Sequence, residues 1–263
     1  MRCLSAILLL LAAGLSSAAI ADGPLPAPLA DGGTATVTAV VDGDTVALDD
    51  GREVRLVGLQ APKLPLGRPG FVAWPLADEA KAALERLTLG RSVRLGHGGR
   101  ETDRYRRALA HLFLDDGTWI QEALLAAGLA RVYTFADNRA LAARLYAAEA
   151  QARAVRRGIW AHPYYAIIAA DDAGSRLDEF ALVEGRVLEA AVVRGRAYLN
   201  FGVDWKRDFT VSAAPADVKI MRRDGFDPAA LAGRRVRVRG WVKWLNGPMI
   251  DLTHPEQIEV LAE

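Results

Sequence analysis

Three short segments of this chain carry side chains that could hold a cation, move a proton or bind a phosphate. Val41-Asp42-Gly43-Asp44-Thr45 places two carboxylates on either side of a glycine. Such a pair can hold a hard cation or take up a proton. Val54-Arg55-Leu56-Val57-Gly58-Leu59-Gln60-Ala61-Pro62-Lys63 sets a cation near each end of an apolar run, with Gln60 between them. Thr102-Asp103-Arg104-Tyr105-Arg106-Arg107-Ala108-Leu109-Ala110 surrounds one tyrosine with three arginines. The planar guanidinium matches the oxygens of a phosphate. Taken singly, each segment also reads as plain structure: a hairpin turn rich in Asp and Gly, a surface cation on a strand, and a solvated loop.

These groups can act together only if folded elements bring them together. Residues 34–41 (TATVTAVV) alternate Thr with apolar side chains, the period of a strand. Residues 45–48 and 53–59 add two strands around the turn Asp49-Asp50-Gly51. Residues 60–76 (QAPKLPLGRPGFVAWPL) contain four prolines and two glycines and predict an irregular loop. Ala80, Ala83, Leu84 and Leu87 share one helical face and predict a helix over 77–87. Strands follow over 92–95 and 108–114, then helices over 119–127, ending at Gly128, and over 139–157, ending at Gly158. This β-β-β-α-β-β-α-α order predicts a five-stranded Greek-key barrel of the OB type, carrying helices.

Residues 163–178 are polar and without period, and a boundary is expected there. The organisation is then a linker over 22–33 (DGPLPAPLADGG), a first unit over 34–163, a linker over 164–178 and a second unit over 179–263. Expected strands over 180–188, 197–201, 208–212, 235–244 and 249–252, with a short helix over 216–223, predict a second OB-like β-barrel. The fold class is α+β, mainly β. In the second unit Tyr198, Phe201, Trp205, Trp241 and Trp244 occur among Arg196, Lys206, Arg207, Arg239 and Lys243. Aromatic faces interleaved with cations are how OB folds hold single strands, but some of these rings must fill a small core.

In this order and on these elements, the three segments resemble the thermonuclease (staphylococcal nuclease-like) family. The likeness extends through IQEALLAAGLARV from Ile120, AEAQARA from Ala148, and Gly158-Ile159-Trp160, and covers about residues 34–163. The resemblance implies an OB barrel that hydrolyses phosphodiesters with calcium. In that family two aspartates hold the metal, a glutamate is the general base and two arginines bind the phosphate. By resemblance Asp44 matches the first metal aspartate, and Arg55 matches the strand arginine on the phosphate. Arg107 matches the second arginine, Tyr105 a tyrosine near the bound nucleotide, and Asp103 a structural aspartate.

The match breaks at three positions. Gln60 stands where the second metal aspartate is expected, Ala61 replaces the threonine that follows it, and Lys63 stands at the general base. Calcium prefers several oxygen ligands, some of them charged, and a protonated lysine accepts no proton and repels a cation. In place of three carboxylates, the single carboxylate Asp44 faces Arg55, Lys63 and Arg107, a net +2. The expected protein binds nucleic acid or phosphodiesters through Arg55, Lys63, Tyr105 and Arg107, with metal-dependent hydrolysis lost or much reduced and Ca2+ weak or absent. The alternative is an active calcium-dependent nuclease in which Asp42, Asp49, Asp50 or Glu101 substitutes for the missing carboxylates. A third reading is an envelope protein-interaction module.

Other chemistry finds no motif. His97, His111, His162 and His254 lack metal-ligand spacing, and no nucleophile elbow, Walker or dinucleotide fingerprint occurs. Phe71 and Trp74, in the proline-rich loop, are expected to cap the barrel or to stack on a base. At the N-terminus, Arg2 precedes an apolar run that ends in Ala19-Ile20-Ala21, the pattern of a secretory signal over 1–21. A secreted or periplasmic protein beginning at Asp22 is expected, and the single cysteine, Cys3, would be lost with the signal. The chain has 263 residues, 51% hydrophobic and 25% charged, which excludes wholesale disorder. Lys+Arg number 33 against 32 Asp+Glu, so attraction to nucleic acid has to come from a local patch.

Overall fold

A computed structural model describes residues 24–262. The expected signal segment, with Cys3, lies outside the described residues. The first unit is built from β1 (Ala30–Asp42), β2 (Thr45–Leu48), β3 (Glu53–Leu56), β4 (Leu59–Gln60), α1 (Ala77–Thr88), β5 (Ser92–His97), β6 (Ala108–Leu114), α2 (Ile120–Ala126), β7 (Arg131–Val132) and α3 (Ala142–Ala154). Five strands close into a barrel in the order β1-β2-β3-β6-β5, with β3 and β6 parallel. β1 closes it alone: residues 30–36 pair with β5 and residues 37–42 with β2. Val37, Val46, Val54, Leu56, Leu95 and Leu112 point inward and are fully buried. α1 seats Ala80, Ala83 and Leu84 on the barrel, with Asp78 and Glu79 at its positive end and Arg86 in its last turn.

The strand expected over 53–59 is interrupted. Gly58 has φ of 81°, and the chain turns out of the barrel there. Leu59–Gln60 then pairs with β7, which puts Gln60 directly opposite Arg131. The helix expected over 139–157 is trimmed to Ala142–Ala154, after Leu141 with φ of 59°. Beyond it, Gly158 crosses Gly128 so closely that a Cβ on Gly158 would sit 2.1 Å from the Gly128 carbonyl oxygen. The Ile159 N–H donates to that oxygen at 2.8 Å, pinning the end of α3 to the end of α2.

The second unit contains β8 (Ile168–Ala169), β9 (Phe180–Arg186), β10 (Glu189–Val193), β11 (Arg196–Asn200), β12 (Thr210–Ala213), α4 (Pro215–Arg223), β13 (Arg235–Trp244), β14 (Pro248–Asp251) and β15 (Ile258–Val260). Its eight-stranded sheet runs β10-β11-β12-β14-β13-β9-β8, with β15 added to β13. The strand expected over 180–188 ends at Arg186 as β9, and after a bend the chain continues into β10, which was not expected. At the bend the Val187 N–H donates to the Arg234 carbonyl and the Leu188 N–H to the Asn200 carbonyl. One chain segment thus pairs with β13 in its first half and β11 in its second. That is the device β1 uses, and the parallel β12–β14 pair repeats the β3–β6 pair. The two units share these pairings without a shared sequence repeat, the first as a closed barrel and the second as an eight-stranded sheet. Residues 164–178, expected to be an aperiodic linker, are ordered: 3-10 turns at Pro163–Tyr165 and Ala170–Arg176 flank β8, and Tyr165, Ala170 and Ala173 are buried.

Each unit has its own apolar cluster, and charged groups join them. Arg239 of β13 is buried against Glu149 of α3, donating to its two carboxylate oxygens at 3.0 and 3.1 Å. It also donates to the Val132 carbonyl at 2.9 Å and to Glu259 at 2.7 Å. Arg139 reaches both Asp224 and Glu256 at 2.7 Å. His254 meets the Thr134 hydroxyl at 2.7 Å. Removing one member of a buried ion pair typically costs about 3–5 kcal/mol. Arg239→Met should therefore lower stability by an amount of that order, while Glu149 keeps Arg153 and the units stay joined by Arg139 and the Thr134–His254 contact. Denaturant unfolding followed by tryptophan fluorescence checks this, and an unchanged midpoint would contradict the role given to Arg239.

Candidate phosphate-binding site

Asp44 lies in the β1–β2 turn and is completely buried. Gly43 makes that possible, since a Cβ there would fall 2.7 Å from the Ala61 Cβ and 2.8 Å from the Ala80 Cβ. The turn thereby packs flat against α1 and the start of the proline-rich loop. The Asp44 carboxylate accepts the Ala61 N–H at 2.8 Å. Its two oxygens accept Lys63 Nζ at 2.7 and 2.6 Å, and Arg55 Nη2 stands 3.3 Å away. Burial works to raise the Asp44 carboxyl, but the Arg55 and Lys63 charges outweigh it and hold the group well below the usual carboxylate range. Neighbouring Asp42 shifts the other way. Burial and the Asp44 charge raise it, with Lys63, 3.4 Å distant, only partly offsetting them.

Arg55 on β3 is fixed by carbonyls: its guanidinium donates to the Leu59 oxygen at 2.8 Å and to the Leu56 oxygen. Arg107 is fixed by Asp103. The Asp103 carboxylate accepts Arg107 Nε at 2.8 Å and the backbone N–H groups of Arg107 and Tyr105 at 2.9 and 2.8 Å. Burial works to raise Asp103, but these bonds dominate and lower it. Arg106 adopts φ of 68°, which turns the chain so that Arg107 comes back to Asp103. Tyr105 is largely exposed. Its hydroxyl accepts from Arg104 at 2.6 Å, and the Arg104 and Arg107 guanidinium carbons lie 4.7 and 5.6 Å from its ring centre.

Arg55, Lys63, Tyr105 and Arg107 line one cavity of about 760 Å³ together with Asp42 and Asp103. Arg68, Arg100 and Arg104 add to its rim, so six cations face three carboxylates, the third being Asp137. Gln60 is absent from the lining. Its side-chain oxygen accepts Arg131 Nε at 3.0 Å and Nη2 at 2.7 Å. Arg131 is buried, and this burial pulls its guanidinium down to about 10. Aromatic faces surround it, with Phe180 at 4.5 Å, Trp74 at 5.7 Å and Tyr165 at 5.8 Å. Arg131 was not among the candidate residues from sequence. A lone cation in the apolar run AGLARV is the signal that points to it.

Of the possible substitute carboxylates, Asp42 alone lines the cavity. Asp49 accepts the Thr36 N–H, Asp50 pairs with Arg52, and Glu101 is exposed outside it. Trp74 packs on Tyr164 at 5.8 Å, and Phe71 lies under Arg68 at 3.7 Å, so this loop is held together by its own rings and the neighbouring turn. In the second unit Phe201 and Arg239 are buried, whereas Trp205, Trp241 and Trp244 are exposed. Trp241 reaches the first unit and completes the cavity wall.

The donor set does not fit a calcium ion. Both Asp44 oxygens carry an ammonium, the Gln60 oxygen is taken by Arg131, and among the described residues no three His, Cys, Asp or Glu side chains converge. The cavity can receive an anion on fixed guanidinium and ammonium donors. Among the described residues no helix is long and apolar enough to cross a membrane.

Residues 53–162 match the family described as staphylococcal nuclease homologue. The thermonuclease of Staphylococcus hyicus is 32% identical over 132 residues, which span 49% of this chain and 76% of that protein. The thermonuclease of Staphylococcus intermedius is 29% identical over 144 residues, 53% of this chain and 84% of that protein. An uncharacterized endonuclease of Escherichia coli O157:H7 is 30% identical over 127 residues, 47% of this chain and 74% of that protein. The family match ends before β8, so the second sheet lies beyond it. The closed barrel and these relatives agree, and the chain belongs to the staphylococcal nuclease family.

Proposed function

We propose that this protein binds nucleic acid or nucleotide phosphates on Arg55, Lys63 and Arg107 without calcium, and that metal-dependent hydrolysis has been lost or much reduced. One observation carries the reading: the Lys63 ammonium lies on both oxygens of Asp44, where the family resemblance puts a metal ion. The site keeps a positive charge for the phosphate and gives up the means to activate water, since an ammonium is no Brønsted base. Arg55 and Arg107 are each held at their far side, by carbonyls and by Asp103, so their remaining N–H groups are preset for an anion. Asp42 is the carboxylate that a surviving hydrolysis would use, because it lines the cavity and its carboxyl is raised. We also propose export to the periplasm or medium, supported by the signal-like residues 1–21.

A nucleoside 3′,5′-bisphosphate should bind equally well in calcium and in chelator. A charge-assisted hydrogen bond contributes about 1.5–3 kcal/mol, so Arg107→Ala should weaken binding about ten- to a hundredfold. Calorimetric titration measures both, and strict calcium dependence would falsify the metal-free site. Nuclease assays should show little or no calcium-dependent cleavage by the wild type, since loss of a general base alone typically costs about 10²–10⁴ in rate. Gln60→Asp combined with Lys63→Glu should gain measurable calcium-dependent cleavage, and either change alone much less, because metal and base act as a unit. Robust cleavage by the wild type would instead favour the active enzyme with Asp42 as its carboxylate. For export, mass spectrometry of the extracellular fraction should find a chain starting near Asp22, and an intact Cys3 in that fraction would rule cleavage out.

A further inference from the structure

We infer that the second unit takes part in the same site, and that Trp241 stacks on a base of a single-stranded nucleic acid whose phosphate lies on Arg55, Lys63 and Arg107. The inference rests on the phosphate-binding reading above and extends it to a polymer. Trp241 belongs to β13, outside the stretch matched by the nuclease family, yet it lines the same 760 Å³ cavity as the cations. Half of its side chain remains exposed. Its ring is fixed nevertheless: Nε1 donates to the Tyr133 hydroxyl at 3.1 Å, and Phe180 meets it edge-on at 6.3 Å. Tyr133 is itself clamped by Phe135 at 4.8 Å and Phe180 at 4.7 Å. A large aromatic side chain held rigid and half exposed costs little conformational entropy to use in binding. A second cavity of about 260 Å³ shares Tyr133, Phe135 and Trp241 with the first and continues onto the second unit, past Thr253 and His254. The ring therefore stands between a cationic pocket and a second, adjoining cavity.

The combination of fixed cations with an exposed aromatic face selects a single strand. Phosphates engage the cations regardless of sequence, and an unstacked base offers a face that a duplex keeps covered. A protein partner would leave the fixed guanidinium groups without matching oxygens unless it were strongly acidic, whereas the same pocket meets a phosphate in every nucleotide.

The test uses the full-length protein in chelator with two probes, fluorescein-labelled hexathymidylate and thymidine 3′,5′-bisphosphate. The hexamer should bind the wild type more tightly than the bisphosphate does. Trp241→Ala should weaken hexamer binding about tenfold and change bisphosphate binding less than twofold. Trp241→Phe should keep most of the hexamer affinity, and Trp205→Ala, at an exposed ring outside both cavities, should match the wild type. Unchanged hexamer binding by Trp241→Ala overturns the inference while leaving the phosphate site standing, as does equal weakening of both probes. If the wild type binds neither probe, the phosphate-binding reading fails and this inference with it. A double-stranded oligonucleotide bound as tightly as the single strand would also overturn it.

Discussion

A fully buried carboxylate has to be answered by positive charge, and in this barrel the arrangement around Asp44 follows from that requirement. An ionised Asp without a partner at such depth costs several kcal/mol. Gly43 brings the turn down to the Cβ atoms of Ala61 and Ala80, which buries the carboxylate and aims the Ala61 N–H at it. Arg55 arrives from β3 but is shared with two carbonyls, so one strong partner is still missing. Lys63, at the mouth of the proline-rich loop, supplies it and ties that loop down onto the barrel. The same contact thus neutralises the buried charge, positions a cation in the cavity and shapes one wall of it.

Two buried arginines show how differently such a charge can be met. Burial works to lower Arg239, but Glu149 and Glu259 overcome it and hold its guanidinium charged, which makes it an anchor between the two units. Arg131 has no carboxylate partner among its contacts and is lowered. It relies on the Gln60 oxygen and on the faces of Phe180, Trp74 and Tyr165. Those rings come from the second unit, the proline-rich loop and the turn after α3, so Arg131 gathers three distant segments behind the site. Gln60 is therefore part of the scaffold here, although its position in the sequence suggests a ligand.

Much of the fold was legible in the sequence because period and punctuation carry it. Residues 45–48, 108–114 and 235–244 form strands with the bounds expected of them. What escaped was set by tertiary pairing. β4 and β7 are two residues each and exist only because Gly58 turns the chain toward Arg131. The bend between β9 and β10 depends on a change of partner strand, which no local pattern records. In the site, Asp44, Arg55, Lys63, Tyr105 and Arg107 were identifiable from residue type and family resemblance; the last four line one cavity, and Asp44 lies buried behind Lys63 and Arg55. The orientation of Gln60, the burial of Arg131 and the reach of Trp241 across the junction were not, because each depends on a contact between residues from 71 to 108 positions apart.

In this structure Asp44 acts as a counter-ion to Lys63 and Arg55. Without it Lys63 would keep only the more distant Asp42, and Arg55 only its two carbonyls. With it the ammonium is held at 2.6–2.7 Å from Asp44 and 3.4 Å from Asp42, in a fixed place on the cavity wall. The positive surplus is then fixed in position, which is what an anion site requires, because donors preset by the fold pay no ordering cost when the ligand arrives. A carboxylate at position 44 and an amine at position 63 belong together: Arg55 at 3.3 Å meets only part of the buried charge of Asp44, and Lys63 completes it.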